Sequence, residues 1–388
     1  MIIRGLEGNN RYLSINPFNK RLYYENHFFV FMHLLLFLSS CVKDKDVSVE
    51  IINLKLEDAD NAPVFSEYSY ISLETNDDAL LENIVKVELL DDDIFILSSY
   101  GGNIYHFTSS GKFVRKWLRG NGPGELIFPT DFFVDSNKKE IIVLDLYRTL
   151  KRYSFAGDFL AEEHKEIPYF SFTLHNRDTL LFDSNLSEKS ANQLAVYNPK
   201  GRREYLPKNT NLKKVGFMPS NVFAQRDDEH LYVSYILSDT IYDYSFKNDT
   251  ILPAYYVDID EPSITDLSDT FFDSARDFDN MANDISEMSK LSYWNNNLFF
   301  IVYYQKKYYY AMYNMVQKTV HLYSKLSNSL LNASHYVGRN EDGIICMYTI
   351  SELKSMDLLD TELKRTVLNA REEDNPILVV YDFKSNKE

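Results

Sequence analysis

The sequence predicts an all-β protein, a six-bladed β-propeller built of four-stranded blades, and three observations carry that prediction. An aromatic residue followed by three residues and a turn former recurs six times: Phe107 with Gly111, Tyr153 with Gly157, Tyr197 with Gly201, Tyr244 with Asn248, Tyr313 with Gln317 and Tyr381 with Ser385. Short strand-forming runs separated by turn residues repeat with a period of roughly 40 to 45 residues, the signature of a propeller blade. The 388 residues include 29 Tyr and 26 Phe, rings that suit pleated, half-buried strand surfaces.

At the amino terminus, Phe28 to Leu38 form an apolar run too short to span a bilayer but right for the core of a signal peptide, with Lys20 and Arg21 before it. The run ends in Leu38-Ser39-Ser40-Cys41, similar to a bacterial lipobox, so Cys41 is expected to receive a lipid and become the mature amino terminus. The expected organisation is a signal peptide over 1–40, a tether over 41–62 and the propeller over 63–388.

Four strands joined by hairpins make the first blade: Val85 to Leu90, Ile94 to Ser99, Ile104 to Thr108 and Phe113 to Leu118. The second repeats that order from Phe132 to Glu162, and further copies run over 170–206, 222–258, 291–326 and 334–383. The last hairpin, at Tyr381, lies too near the chain end to be followed by an outer strand. The unassigned strand Tyr68 to Leu73 is therefore expected to complete the last blade and close the ring, since an open edge invites aggregation. Two insertions break the period: 261–289, whose later apolar residues have near-helical spacing, and 351–371, with Leu353, Met356, Leu359, Leu363 and Val367 three or four apart and Ser351 as the expected N-cap. Both are expected to be short helices on the propeller surface.

The formal charge is −16, from 57 acidic and 41 basic residues, which repels a nucleic-acid backbone. Two cysteines, Cys41 and Cys346, exclude a disulfide framework, and Cys346 sits in the apolar run Ile344 to Tyr348 as a core thiol. No His-Glu-x-x-His, Gly-x-Ser-x-Gly or Cys-x-x-Cys occurs. Gly120-Asn-Gly-Pro-Gly-Glu125 lacks a following Lys-Ser/Thr and leads into a strand, so it reads as a crossing between the first two blades.

Gly111-Lys-Phe-Val, Gly120 to Glu125, Ile142-Val-Leu-Asp145, Gly157-Asp-Phe-Leu and Asp374-Asn-Pro-Ile-Leu378 together resemble the six-bladed β-propeller lipoproteins of Bacteroidetes, relatives of NHL-repeat propellers. The resemblance covers nearly all of 68–384 and implies a propeller in the outer membrane, at the cell surface or facing the periplasm. Propeller geometry directs the search for a site to the starts of the innermost strands. Blade alignment places Asn83, Asp131, Asn221, Lys290 and His335 there. The expected function is a monomeric, lipid-anchored module binding a glycan, a peptide or an envelope protein. The alternative is a metal-assisted hydrolase or lyase at the channel, with calcium or zinc held by Asp131, Asn221 and His335.

Overall fold

The computed structural model describes residues 49–383 apart from 82, 91, 184–188, 210, 212–220, 236–237, 264, 268–283, 329–335, 341–342 and 359. The expected signal segment, Cys41, His335 and most of the first insertion lie outside the described residues. The unit containing the described residues begins at Val49.

Central strands form from continuous apolar runs because both of their faces are covered. In Glu140–Asp145, Ile141, Ile142, Val143 and Leu144 are all fully buried, whereas the edge strand Phe159–His164 is exposed throughout. The strands assemble into five sheets. Two have four strands and two have five, and the fifth has eight. The core lies between successive sheet faces: Phe95 and Trp117 meet Phe132, Ile141 and Tyr153, while Tyr232 and Ile241 meet Met288 and Phe300.

This overturns the expected six separate four-stranded blades. Four small sheets make a propeller-like arrangement, and the eight-stranded sheet stands where the first and last blades were expected. Its halves join by parallel pairing of Tyr336–Arg339 with Lys86–Leu89, through Gly338 opposite Val87 and Arg339 opposite Glu88. The join depends on Gly338, where a Cβ would lie 2.1 Å from the Val87 carbonyl oxygen. Ser69–Ser72 does pair antiparallel with Ile377–Asp382 as the outer strand beside the last hairpin, but it forms one edge of this eight-stranded sheet and closes no six-bladed ring.

The two five-stranded sheets each gain a strand from the amino-terminal segment. Glu50–Leu54 runs parallel to Thr250–Ile259, and Asp60–Pro63 runs parallel to Thr319–Lys325. Part of the stretch expected as a tether is thus paired into sheets. Ile52 and Leu54 are buried beside Val257 and Ile259, and Ile51 faces outward.

The aromatic repeat has a packing origin. Phe107, Tyr153, Tyr244, Tyr313 and Tyr381 are all buried between sheets, and Tyr197 is half-buried. In the first two copies the turn closes from the Gly111 and Gly157 N–H groups to the carbonyls three residues back, with φ of 81° and 91° at the glycines. In the fourth and fifth copies the turn is one residue longer, and Ser385 of the sixth lies outside the described residues. The Asp249 and Lys318 N–H groups donate to carbonyls four residues back, and these residues, not Asn248 and Gln317, take the positive φ of 52° and 57°.

The second insertion forms two helices, α1 (Ile350–Ser355) and α2 (Thr361–Asn369). Thr349, not Ser351, caps α1: its hydroxyl accepts from the Glu352 N–H and the Glu352 carboxylate accepts from the Thr349 N–H. Asp360 caps α2 by accepting from Glu362 and Leu363 N–H groups. Leu353, Leu363 and Val367 pack into the core with Tyr348 and Ile377. Of the first insertion, the described parts are a turn of 3-10 helix at Thr265–Leu267 and the start of the strand Glu287–Trp294.

Candidate functional site

Six inner strands, Lys86–Leu89, Pro129–Asp135, Ser171–His175, Phe223–Gln225, Glu287–Trp294 and Tyr336–Arg339, contribute to the walls of one cavity of about 610 Å³. Consecutive residues of the inner strands, such as 85–90 and 171–175, line it, which gives the cavity a mixed polar and apolar lining.

Asp131 is the hub of one wall. Its Oδ1 accepts from Lys86 Nζ at 2.8 Å and from the Phe132 N–H at 2.8 Å. Oδ2 accepts from the Ser171 hydroxyl at 2.6 Å and the Phe172 N–H at 2.9 Å. One carboxylate thereby ties three neighbouring inner strands. Lys86 also donates to the Phe132 carbonyl at 2.6 Å and lies 3.3 Å from Glu88. Burial would lower the Lys86 pKa, but the charges of Asp131 and Glu88 prevail and raise it, so the ammonium stays charged. Burial, and then the Asp131 charge, push the Tyr100 phenol well up, leaving a neutral hydroxyl at the wall.

Cations and rings make the remaining walls. Arg226 sits 3.4 Å from Asp227 and 3.7 Å from Asp243, and stacks over Tyr232 at 5.9 Å. Arg339 lines the cavity with no ion-pair partner among the described residues. Tyr293 and Trp294 line it beside Asn295, and Trp294 stacks on Phe383 with ring centroids 5.7 Å apart. His175 is engaged, stacked 4.0 Å from Phe246 with its Nε2 3.0 Å from the Asp228 carbonyl oxygen.

Of the sequence-derived candidates, Asp131 and Asn221 both line the cavity. Asn83 is exposed, its side chain accepting from the Ile84 N–H, and it is not among the lining residues. Lys290, at a positive φ of 60°, lies with its ammonium 5.5 Å from the Tyr336 ring centroid, and burial lowers its pKa to about 8. It too is outside the lining. Cys346 is fully buried and burial pushes its thiol up, so it is inert as a nucleophile.

The sequence reading missed Lys86, Arg226, Tyr293, Trp294 and Arg339. It looked to strand starts, whereas Arg226 follows the end of Phe223–Gln225 and Arg339 ends its own strand. For Arg226, Tyr293, Trp294 and Arg339 the usable signal was a cation or ring at the carboxyl end of an inner strand, whereas Lys86 begins its strand. Chemically, the cavity offers fixed cations, amides, hydroxyls and ring faces. Among the described residues no three His, Cys, Asp or Glu side chains are grouped to hold a metal ion. The Ser171 hydroxyl donates to Asp131.

Fold and cavity together define a propeller-like β-sheet protein with a ligand-sized central cavity. The chain belongs to the family described as Domain of unknown function (DUF4934), which matches residues 46–382. Among solved structures it is similar to an exported protein of Bacteroides fragilis, with a TM-score of 0.68 and 21% identity over 85% of this chain and 98% of that one. Looser likenesses are the WD40 domain of Neurospora crassa Pan2 (TM-score 0.42, 10% identity, 79% and 76% covered) and BamB of Moraxella catarrhalis (0.42, 9%, 71% and 72%). Neither bears on function. No curated protein matches the chain. The likeness to an exported Bacteroides protein is real, but the resemblance to six-bladed lipoprotein propellers does not hold, because the strands form five sheets of unequal size.

Proposed function

We propose that the protein is a lipid-anchored, extracytoplasmic binding module that takes a glycan or peptide segment into its central cavity. The observation that carries this reading is the cavity itself, about 610 Å³ with walls from six inner strands and an arginine free of any ion pair among the described residues. That volume lies within the range of small-ligand sites, roughly 300 to 1,000 Å³. The envelope part of the reading draws on the lipobox-like Leu38 to Cys41 and on the similarity to an exported protein. No described helix is long and apolar enough to cross a membrane, and Cys41 is the anchor proposed.

Thr173→Trp tests the cavity. Thr173 lies mid-strand on the cavity wall, and an indole there fills much of the space. On glycan and peptide arrays the native protein is expected to give a selective set of ligands that the folded plugged variant loses. Equal binding by both would sink the cavity as the site. For the anchor, Cys41→Ala is expected to move the protein from the membrane fraction to the soluble fraction, and an unchanged distribution would refute lipidation at Cys41.

A further inference from the structure

The cavity's charge runs against that of the molecule. The chain carries a formal charge of −16, yet the cavity is lined by Lys86, Arg226 and Arg339 against Glu88 and Asp131. Both of those carboxylates are engaged by Lys86, at 3.3 and 2.8 Å. Arg226 is shared with Asp227 and Asp243 at 3.4 and 3.7 Å, distances that leave it incompletely neutralised. Arg339 has no ion-pair partner among the described residues. A guanidinium beside a low-dielectric wall, with no carboxylate paired to it among the described residues, is a receptor for a planar anion, which it grips through paired N–H donors.

The rest of the lining says what carries the anion. Tyr293 and Trp294, whose rings also pack on Tyr232 and Phe383, line the same cavity as Arg339, and Asn221, Gln225 and Asn295 bring amides that donate and accept at once. Ring faces suit the C–H face of a pyranose, amides suit vicinal hydroxyls, and a guanidinium suits a carboxylate at the ring edge. Resting on the cavity reading above, we infer that the ligand is a carboxylated sugar, a uronate unit of an oligosaccharide, with its carboxylate on Arg339.

Calorimetric titration with trigalacturonate, with its methyl ester, and with an acidic hexapeptide separates the possibilities, because the ester keeps the sugar and removes the charge. The acid is expected to bind at least about tenfold tighter than the ester, the scale of one charge-assisted pair, and to lose most of that advantage between low and high salt. Arg339→Gln is expected to bring the acid down to the ester's affinity. Arg226→Gln, whose charge is already shared, is expected to weaken the acid by less, and it serves as the second test should Arg339→Gln not fold. Equal affinity for acid and ester, or an acid advantage that survives both substitutions, overturns the uronate assignment while leaving a cavity ligand in place. Tight binding of the peptide without the sugar acid also overturns it. Array ligands insensitive to Thr173→Trp remove the cavity reading and this inference together.

Discussion

Asp131 accepts four hydrogen bonds from residues of three inner strands, so its removal strands several donors at once. Asp131→Ala leaves Lys86 with Glu88 and the Phe132 carbonyl, and removes the acceptor of the Ser171 hydroxyl and of two backbone N–H groups. The expected loss is about 2 to 4 kcal/mol in urea unfolding, below the figure for a wholly buried pair because Lys86 retains some exposure. A loss under about 0.5 kcal/mol would contradict the hub role. Asp249 gives the pH dependence. Burial acts to raise its pKa, but hydrogen bonds from Tyr244, Tyr205 and Asn198, with Arg203 at 3.1 Å, hold it below the usual carboxylate range. Because the folded value is the lower one, the stabilisation is full above the unfolded value of about 3.9 and is lost as pH falls through the folded value. Asp249→Asn is therefore expected to be less stable than the native protein at pH 7 and to show a flatter decline below pH 4, read from urea midpoints at each pH. Asp131 was legible in the sequence as a residue at an inner-strand start. Its role was not, because Lys86 and Ser171 lie 45 and 40 residues away and only the folded sheets bring them together.

Among the elements, the amino-terminal strands are the ones the sequence concealed. Glu50–Leu54 is short and pairs in parallel with a strand some 200 residues on, so no local turn marks it. Its alternation becomes meaningful only once the partner is known: Ile51 faces out at 57% exposure, and Ile52 faces in at 1%. Ile52→Ala is expected to cost about 2 to 4 kcal/mol in urea unfolding, and Ile51→Ala within about 0.5. Equal effects would mean that the segment is a tether and not a strand of the sheet. The hairpins were the opposite case. Their aromatic-to-turn spacing was legible because each turn is local, and the fourth and fifth copies faded because the turn lengthened by one residue at Asp249 and Lys318.

At the scale of the whole molecule, the first and last expected blades are one sheet, and Gly338 is the reason. A glycine inside a strand reads as a weakness in sequence, but here it lets two backbones approach across the join at Val87. Gly338→Ala forces a shift of backbone, not of a flexible side chain, and is expected to cost about 1 to 3 kcal/mol and to speed hydrogen exchange at the join. Unchanged exchange there would show that the halves do not depend on this contact. The same inner strands wall the cavity, so the join also sets where Arg339 stands. The chain's two tryptophans allow a direct reading of that cavity: Trp117 is buried in the core between sheets, and Trp294 lines the cavity. In a Trp117→Phe protein the remaining emission reports on the cavity alone. Titration with trigalacturonate is predicted to shift that emission saturably, with the shift abolished by Thr173→Phe, which narrows the cavity without adding an indole. Binding seen by calorimetry with no change in Trp294 emission would contradict a ligand in the central cavity.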